Sequence, residues 1–324
     1  MKKNIYSFII LCTIFVLIIN IFMKSQQLTS IIVFSLNLFI KNIFPSLFPM
    51  FVISNILVAI NFPKFLGSVF NRIFRVVFKT SGASAFVFFM SMITGFPSSA
   101  KYVDDLIDKE IINQKEAQKI LAFTFFSNPL FIVNTVGNSF LHSSRVGFIM
   151  LFSHVLGNIF SGLFFRNYGD DNYFELTNRF LFKDLCQTIN NTNIFKTVFS
   201  SIKNSIEVLI NIFGIVTFFL IIINMLFKNP DNYFEILIAG IIEMTTGLKY
   251  LSVSSYPQII KIVTSAFFIS FGGLSVHAQI MDILKEKKVK YLPFLLSRII
   301  QSLSSSLLVC ILAIPDTGYA ILKP

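Results

Sequence analysis

Seven apolar runs of bilayer length leave this chain few ways to fold. They cover residues 5–23, 31–60, 119–137, 146–165, 206–227, 259–276 and 291–314. A helix needs about 20 predominantly apolar residues to cross the hydrocarbon core, and every backbone amide within it must be satisfied internally. The expectation is an all-α, polytopic membrane protein. Composition agrees: 54% of the residues are hydrophobic and 13% charged, about half the charged share of a soluble domain. The 41 phenylalanines, with no tryptophan, read as the bias of an AT-rich genome and single out no site.

The basic residues lie in short segments between the apolar runs. A formal charge of +11 therefore points to anionic lipid headgroups as partners and not to nucleic acid. Cys12, Cys186 and Cys310 are isolated and predict neither a disulfide framework nor a metal site. Residues 5–22 follow Lys2 and Lys3, as a signal peptide would. The stretch after them lacks a small-x-small cleavage site, which favours an uncleaved first span.

Two apolar segments are too short to span: residues 82–96, ending in Thr94-Gly95-Phe96-Pro97, and residues 233–248, ending in Thr245-Thr246-Gly247. Charge decides how to place them. With both segments re-entrant and the N-terminus inside, the inner segments hold 19 Lys/Arg and the outer ones six. With both spanning, the split is 12 to 13. The positive-inside rule selects re-entry. Residues 97–119 then read as an amphipathic surface helix, with Val103, Leu106, Ile107 and Ile111 on one side and a solvated charged face on the other.

Residues 42–57 align with 211–226 at six positions. Each match precedes a short Thr-Gly-ended segment, then a helix broken at Ser127-Asn128-Pro129 or at Gly272-Gly273, then a full span. Three crossings per half would invert the second half relative to the first, a transporter architecture. The expected organisation is a first span over 1–30, one repeat over 31–166, a polar linker and amphipathic segment over 167–205 and a second repeat over 206–324.

Chemistry is expected where polar groups meet these breaks. Glu243 lies in an apolar run and needs a partner, a cavity or a proton, since a charge at the bilayer centre costs about 2.5–3.5 kcal/mol on insertion scales. Arg298, in the last span, is the expected partner. Their roles are read either as a structural pair or as groups that grip a substrate or couple an ion. Broken helices leave free N–H and C=O groups, so the candidate substrate- or ion-binding set is Thr94, Gly95, Ser98, Ser99, Asn128, Pro129, Glu243, Thr246, Gly247, Gly272, Gly273, Ser275, Gln279 and Arg298. His154 and His277 read as packed, not liganding. No catalytic motif, metal-ligand cluster or cofactor signature is visible, so an enzyme is not expected.

Across nearly its whole length the chain resembles the YlbJ family of sporulation integral membrane proteins, within the nucleoside-recognition or Gate domain group. The resemblance rests on Phe44-Pro45-Ser46-Leu47-Phe48-Pro49, Thr94-Gly95-Phe96-Pro97-Ser98-Ser99-Ala100-Lys101, Ser127-Asn128-Pro129-Leu130-Phe131-Ile132, Glu243-Met244-Thr245-Thr246-Gly247 and Phe271-Gly272-Gly273-Leu274-Ser275-Val276-His277-Ala278-Gln279. Ser99 departs from the family pattern, which has glycine before the alanine. The resemblance implies a membrane of a sporulating bacterium and a role in building the spore cortex. Two functions fit it: transport of a small solute, with a possible coupling ion, or a non-transporting factor that assembles or recruits cortex machinery.

Overall fold

The computed structural model describes residues 11, 15, 19, 25–169, 180–227 and 232–321, and among them it is all helix and connecting loop. The expected span over 5–23 lies largely outside the described residues. The first long element is bent. Helix α1 (Ser25–Leu38) passes through a π-turn at Phe39–Ile43 into α2 (Phe44–Ala59), which carries Pro45 near its start and Pro49 inside. The pair bends by 48°. Missing amide hydrogens and wide π-turns are the usual causes of such a bend.

The rest of the first half comprises α3 (Phe62–Phe78), α4 (Ser84–Thr94), α5 (Ser98–Asp108), α6 (Gln114–Phe123), the π-helix α7 (Phe131–Phe140) and α8 (Ser144–Phe165). After α9 (Phe182–Asn191) the second half runs α10 (Ile194–Leu226), α11 (Tyr233–Ile242), α12 (Met244–Val253), α13 (Gln258–Phe271), α14 (Gly273–Ile283) and α15 (Tyr291–Ile321). Four helical stretches are long and apolar enough to cross a bilayer: 144–165, 194–226, 258–283 and 291–313. The bent pair α1–α2 makes a fifth. The chain is a polytopic helical membrane protein.

Side-chain contacts sort the loops into two ends. At one end the Ser81 amide donates to Glu116, Lys287 bonds Asp104 and Asp108, the Gln118 side chain pairs with the backbone of Lys290, and Arg166 reaches the Val76 carbonyl. This end gathers four of the basic segments read as inner. At the other end Gln258 donates to the Leu141 carbonyl and Tyr233 packs on Tyr256. Both arms of the hairpin α4–α5 therefore return to the basic end, and both arms of α11–α12 to the opposite end. Their apolar arms α4 and α11, of 11 and 10 residues, reach only about 16 Å at 1.5 Å per residue, half of the ~30 Å hydrocarbon core.

Two expectations change. Residues 97–119 do not form one surface helix. They are the second arm of a hairpin, a turn and the start of α6, and Lys101, Glu116 and Lys119 are buried. Lys101 bonds Asp105 and reaches Asn55 (3.1 Å), which in turn bonds Ser205 on α10. Periodicity showed the apolar face of this segment, but its opposite face is covered by other elements. Residues 61–82, one of the basic segments between apolar runs, contain α3, an amphipathic helix entered through Pro63 and closed by Lys79 in a left-handed conformation. Helix α10 begins at Ile194, inside the stretch read as linker.

Candidate functional site

The two hairpin tips and the two broken helices meet. At the first tip the Phe96 amide donates to the Phe126 carbonyl at 2.6 Å. Gly95 has φ +82°, and a Cβ there would lie 2.6 Å from the Asn128 nitrogen. Only glycine permits both the backbone angle and the approach. At the second tip Gly273, φ +72°, would place a Cβ 2.9 Å from the Met244 nitrogen, and Gly272, φ +87°, lies against the Phe125 ring. Each tip thus closes backbone-to-backbone on the break of its own half. Ser99, where the family pattern has glycine, is buried on α5; the tight approach is made by Gly95 instead.

Beside these junctions is a cavity of about 930 Å³, walled also by α1, α7 and α10. Ligand pockets commonly occupy about 300–1,000 Å³. Of the sequence-predicted residues, Thr94, Asn128, Glu243, Thr246, Ser275 and Gln279 line it. Asn128 also caps the helix that follows, its side-chain oxygen accepting from the Leu130 amide at 2.9 Å. Pro129 takes the first helical position, where its missing N–H costs nothing. Ser98 stays at the first tip, bonded to Thr94 and the Gly95 carbonyl. Gly247 packs on Gly240 where α11 and α12 cross.

Glu243 does not pair with Arg298. Its carboxylate caps α12: Oε1 accepts from the Thr245 amide (3.1 Å), and Oε2 from the Thr246 amide (2.7 Å) and the hydroxyls of Thr245 (2.6 Å) and Thr246 (2.7 Å). Four donors and a helix N-terminus solvate the charge without a cation. Thr-Thr after the glutamate was the sequence signal for this cap.

The chain is 26% identical to the sporulation integral membrane protein YlbJ of Bacillus subtilis (strain 168), over 300 residues that cover 83% of this chain and 74% of the relative. In sequence the chain is thus similar to the YlbJ family of sporulation integral membrane proteins. It is a multi-pass sporulation integral membrane protein. No family model matches it, and no solved structure does.

Arg298 lies outside the cavity, fully buried, and it explains how the first break is tolerated. Its guanidinium bonds the carbonyls of Leu121 (3.1 Å) and Ala122 (2.8 Å), the free C-terminal end of α6, and also Gln301. Its flat face lies over the Phe125 ring, 4.4 Å from the centroid. A cation at a helix C-terminus satisfies both the orphan carbonyls and the macrodipole. Asn158 (2.6 Å) and Gln301 (3.2 Å) donate to the Phe125 carbonyl, and His154 Nε2 accepts the Ser127 amide at 2.9 Å. Because Nε2 accepts, the proton of neutral His154 sits on Nδ1, facing Ser270 Oγ at 2.9 Å. His277 is held the other way: Nε2–H donates to the Phe271 carbonyl (2.8 Å), leaving Nδ1 for the Tyr291 hydroxyl (3.1 Å). The roles of His154, Asn158 and Gln301 were missed. Their signal was a helical spacing of polar residues within apolar spans, 154/158 and 298/301.

Proposed function

We propose that this protein moves a small solute across a membrane of the sporulating cell, in the building of the spore cortex, through a site between two inverted halves. The observation that carries this is the cavity at which two opposed re-entrant tips and two interrupted helices converge. Non-helical backbone at bilayer depth is tolerated where it is buried in protein or lines a wet cavity. Hairpins entering from opposite ends support the inverted arrangement. Basic charge gathered at one end supports placing that end in the cytoplasm.

The test is side-specific labelling in proteoliposomes. A cysteine replacing Asn128 should react with an impermeant thiol reagent from either face as the protein cycles, and reconstituted protein should carry solute. Cysteines at Lys109 and Lys285 should both be shielded from an outside reagent. A second reading, a non-transporting assembly factor for cortex machinery, is favoured by one observation: backbone groups around the first break are bonded by the protein's own side chains and by the Phe96 amide. Inertness of the Asn128 cysteine from both faces would select that reading.

A further inference from the structure

Of the two charged residues that line the cavity, one is already committed and the other is exposed to solvent. Glu243 receives four hydrogen bonds from its own helix start. Lys249, the other charged residue in the wall, is exposed at the mouth, its ammonium 5.8 Å from the centre of the Phe34 ring. Deeper in, the situation reverses. Ser127, Ser275 and Gln279 line the cavity and are 2%, 2% and 3% exposed. No side-chain atom of these three makes a hydrogen bond within the protein, among the described residues, whereas their neighbours Asn128 and Ser270 are partnered. Ser275 and Gln279 are four apart on α14 and so share its face; Ser127 lines the same cavity from the first break. Buried polar groups are ordinarily satisfied, so three such groups lining one cavity are available to hydrogen-bond a molecule from outside the chain. Two hydroxyls and an amide each donate and accept, and none carries charge. The lining also includes the aromatic side chains of Phe96 and Phe131, which suit the apolar face of a ring.

We propose that the cavity binds an uncharged, ring-sized solute through its hydroxyl and amide groups, with Ser127, Ser275 and Gln279 as the hydrogen-bonding partners. This rests on reading the cavity as a solute site, and it excludes carboxylates and ammonium compounds as preferred occupants. A buried charge with no counter-charge binds poorly.

Three probes share one ring and differ in charge: N-acetylglucosamine, glucosamine and glucuronate. The full chain, with its native cysteines changed to serine, carries Ser275→Cys as a reporter in nanodiscs; Ser127→Cys is the independent reporter should the first fail to fold. N-acetylglucosamine is expected to slow maleimide labelling, with the two charged sugars roughly tenfold weaker or worse. Gln279→Leu should weaken that protection several-fold while leaving labelling without sugar unchanged. Protection by glucosamine or glucuronate equal to that by N-acetylglucosamine overturns the proposal, as does no protection at either reporter. Protection without flux of N-acetylglucosamine into proteoliposomes would end the transport reading and leave this one standing.

Discussion

At the first helix interruption five residues, 124–128, leave the helix, and four side chains from α8 and α15 hold the backbone around them. At the second two left-handed glycines, Gly272 and Gly273, turn the chain, and the Gly272 amide closes on the Phe268 carbonyl at 2.8 Å. One imidazole, His277, donates to the Phe271 carbonyl there. The wider gap frees more polar backbone than local turns can absorb, so it recruits a guanidinium and two amides. The narrow gap closes on itself but requires residues without a Cβ. The first break should therefore be sensitive to loss of polar side chains, and the second to any added methyl group.

The largest effect expected from that contrast is at Arg298. Arg298→Leu removes two charge-assisted bonds to carbonyls that have no water to turn to, costing roughly 3 kcal/mol or more. It should sharply reduce membrane abundance and the midpoint of denaturant unfolding. Near-normal stability of Arg298→Leu would mean that the first break is not held by side chains. Next is Gly273→Ala, where the left-handed angle and the approach of Met244 together should cost about 1–3 kcal/mol; a thermal melt in detergent reads it, and an unshifted melt would remove the glycine half of the contrast.

Glu243→Gln separates the two regions. The glutamine keeps the shape but donates where four donors already point, and about 1–2 kcal/mol should be lost. Because Glu243 and Arg298 hold different elements, adding Arg298→Gln should deepen the loss additively. Rescue by the second change would restore the ion pair inferred from sequence. The smallest effects should be at the imidazoles. His154→Ala and His277→Ala each leave one backbone group unpaired, worth about 1 kcal/mol. His154→Ala should raise hydrogen exchange at the Ser127 amide, whose acceptor it removes, and His277→Ala should leave that amide unchanged. Equal exchange there in the two variants would show that the breaks do not respond independently.

Much of this was readable along the chain. Run length separated the spans from the hairpin arms, and proline or paired glycine marked both breaks within a few residues, because these features depend on local propensity and bilayer thickness. Six of the candidate residues reached the cavity for the same reason: polar groups beside a break have nowhere else to go in lipid. The burial of Lys101 and the helix α3 were not readable. Both depend on neighbours distant in sequence, such as Asn55, Ser205 and the Val76–Arg166 contact.

Sequence by itself determined that the chain is a multi-pass helical membrane protein with two short apolar hairpins and two interrupted helices, since hydropathy, charge and backbone chemistry act residue by residue. Tertiary structure alone decided the partnerships. Glu243 and Arg298 are the two conspicuous charges in the apolar runs, and opposite sign makes them look like a pair. Folding gave each a helix end instead, the N-terminus of α12 for the carboxylate and the C-terminus of α6 for the guanidinium. Helix ends carry half-charges and unsatisfied bonds, and in a low-dielectric interior they solvate an ion about as well as a counter-ion does. Where those ends come to lie is a property of the packed fold.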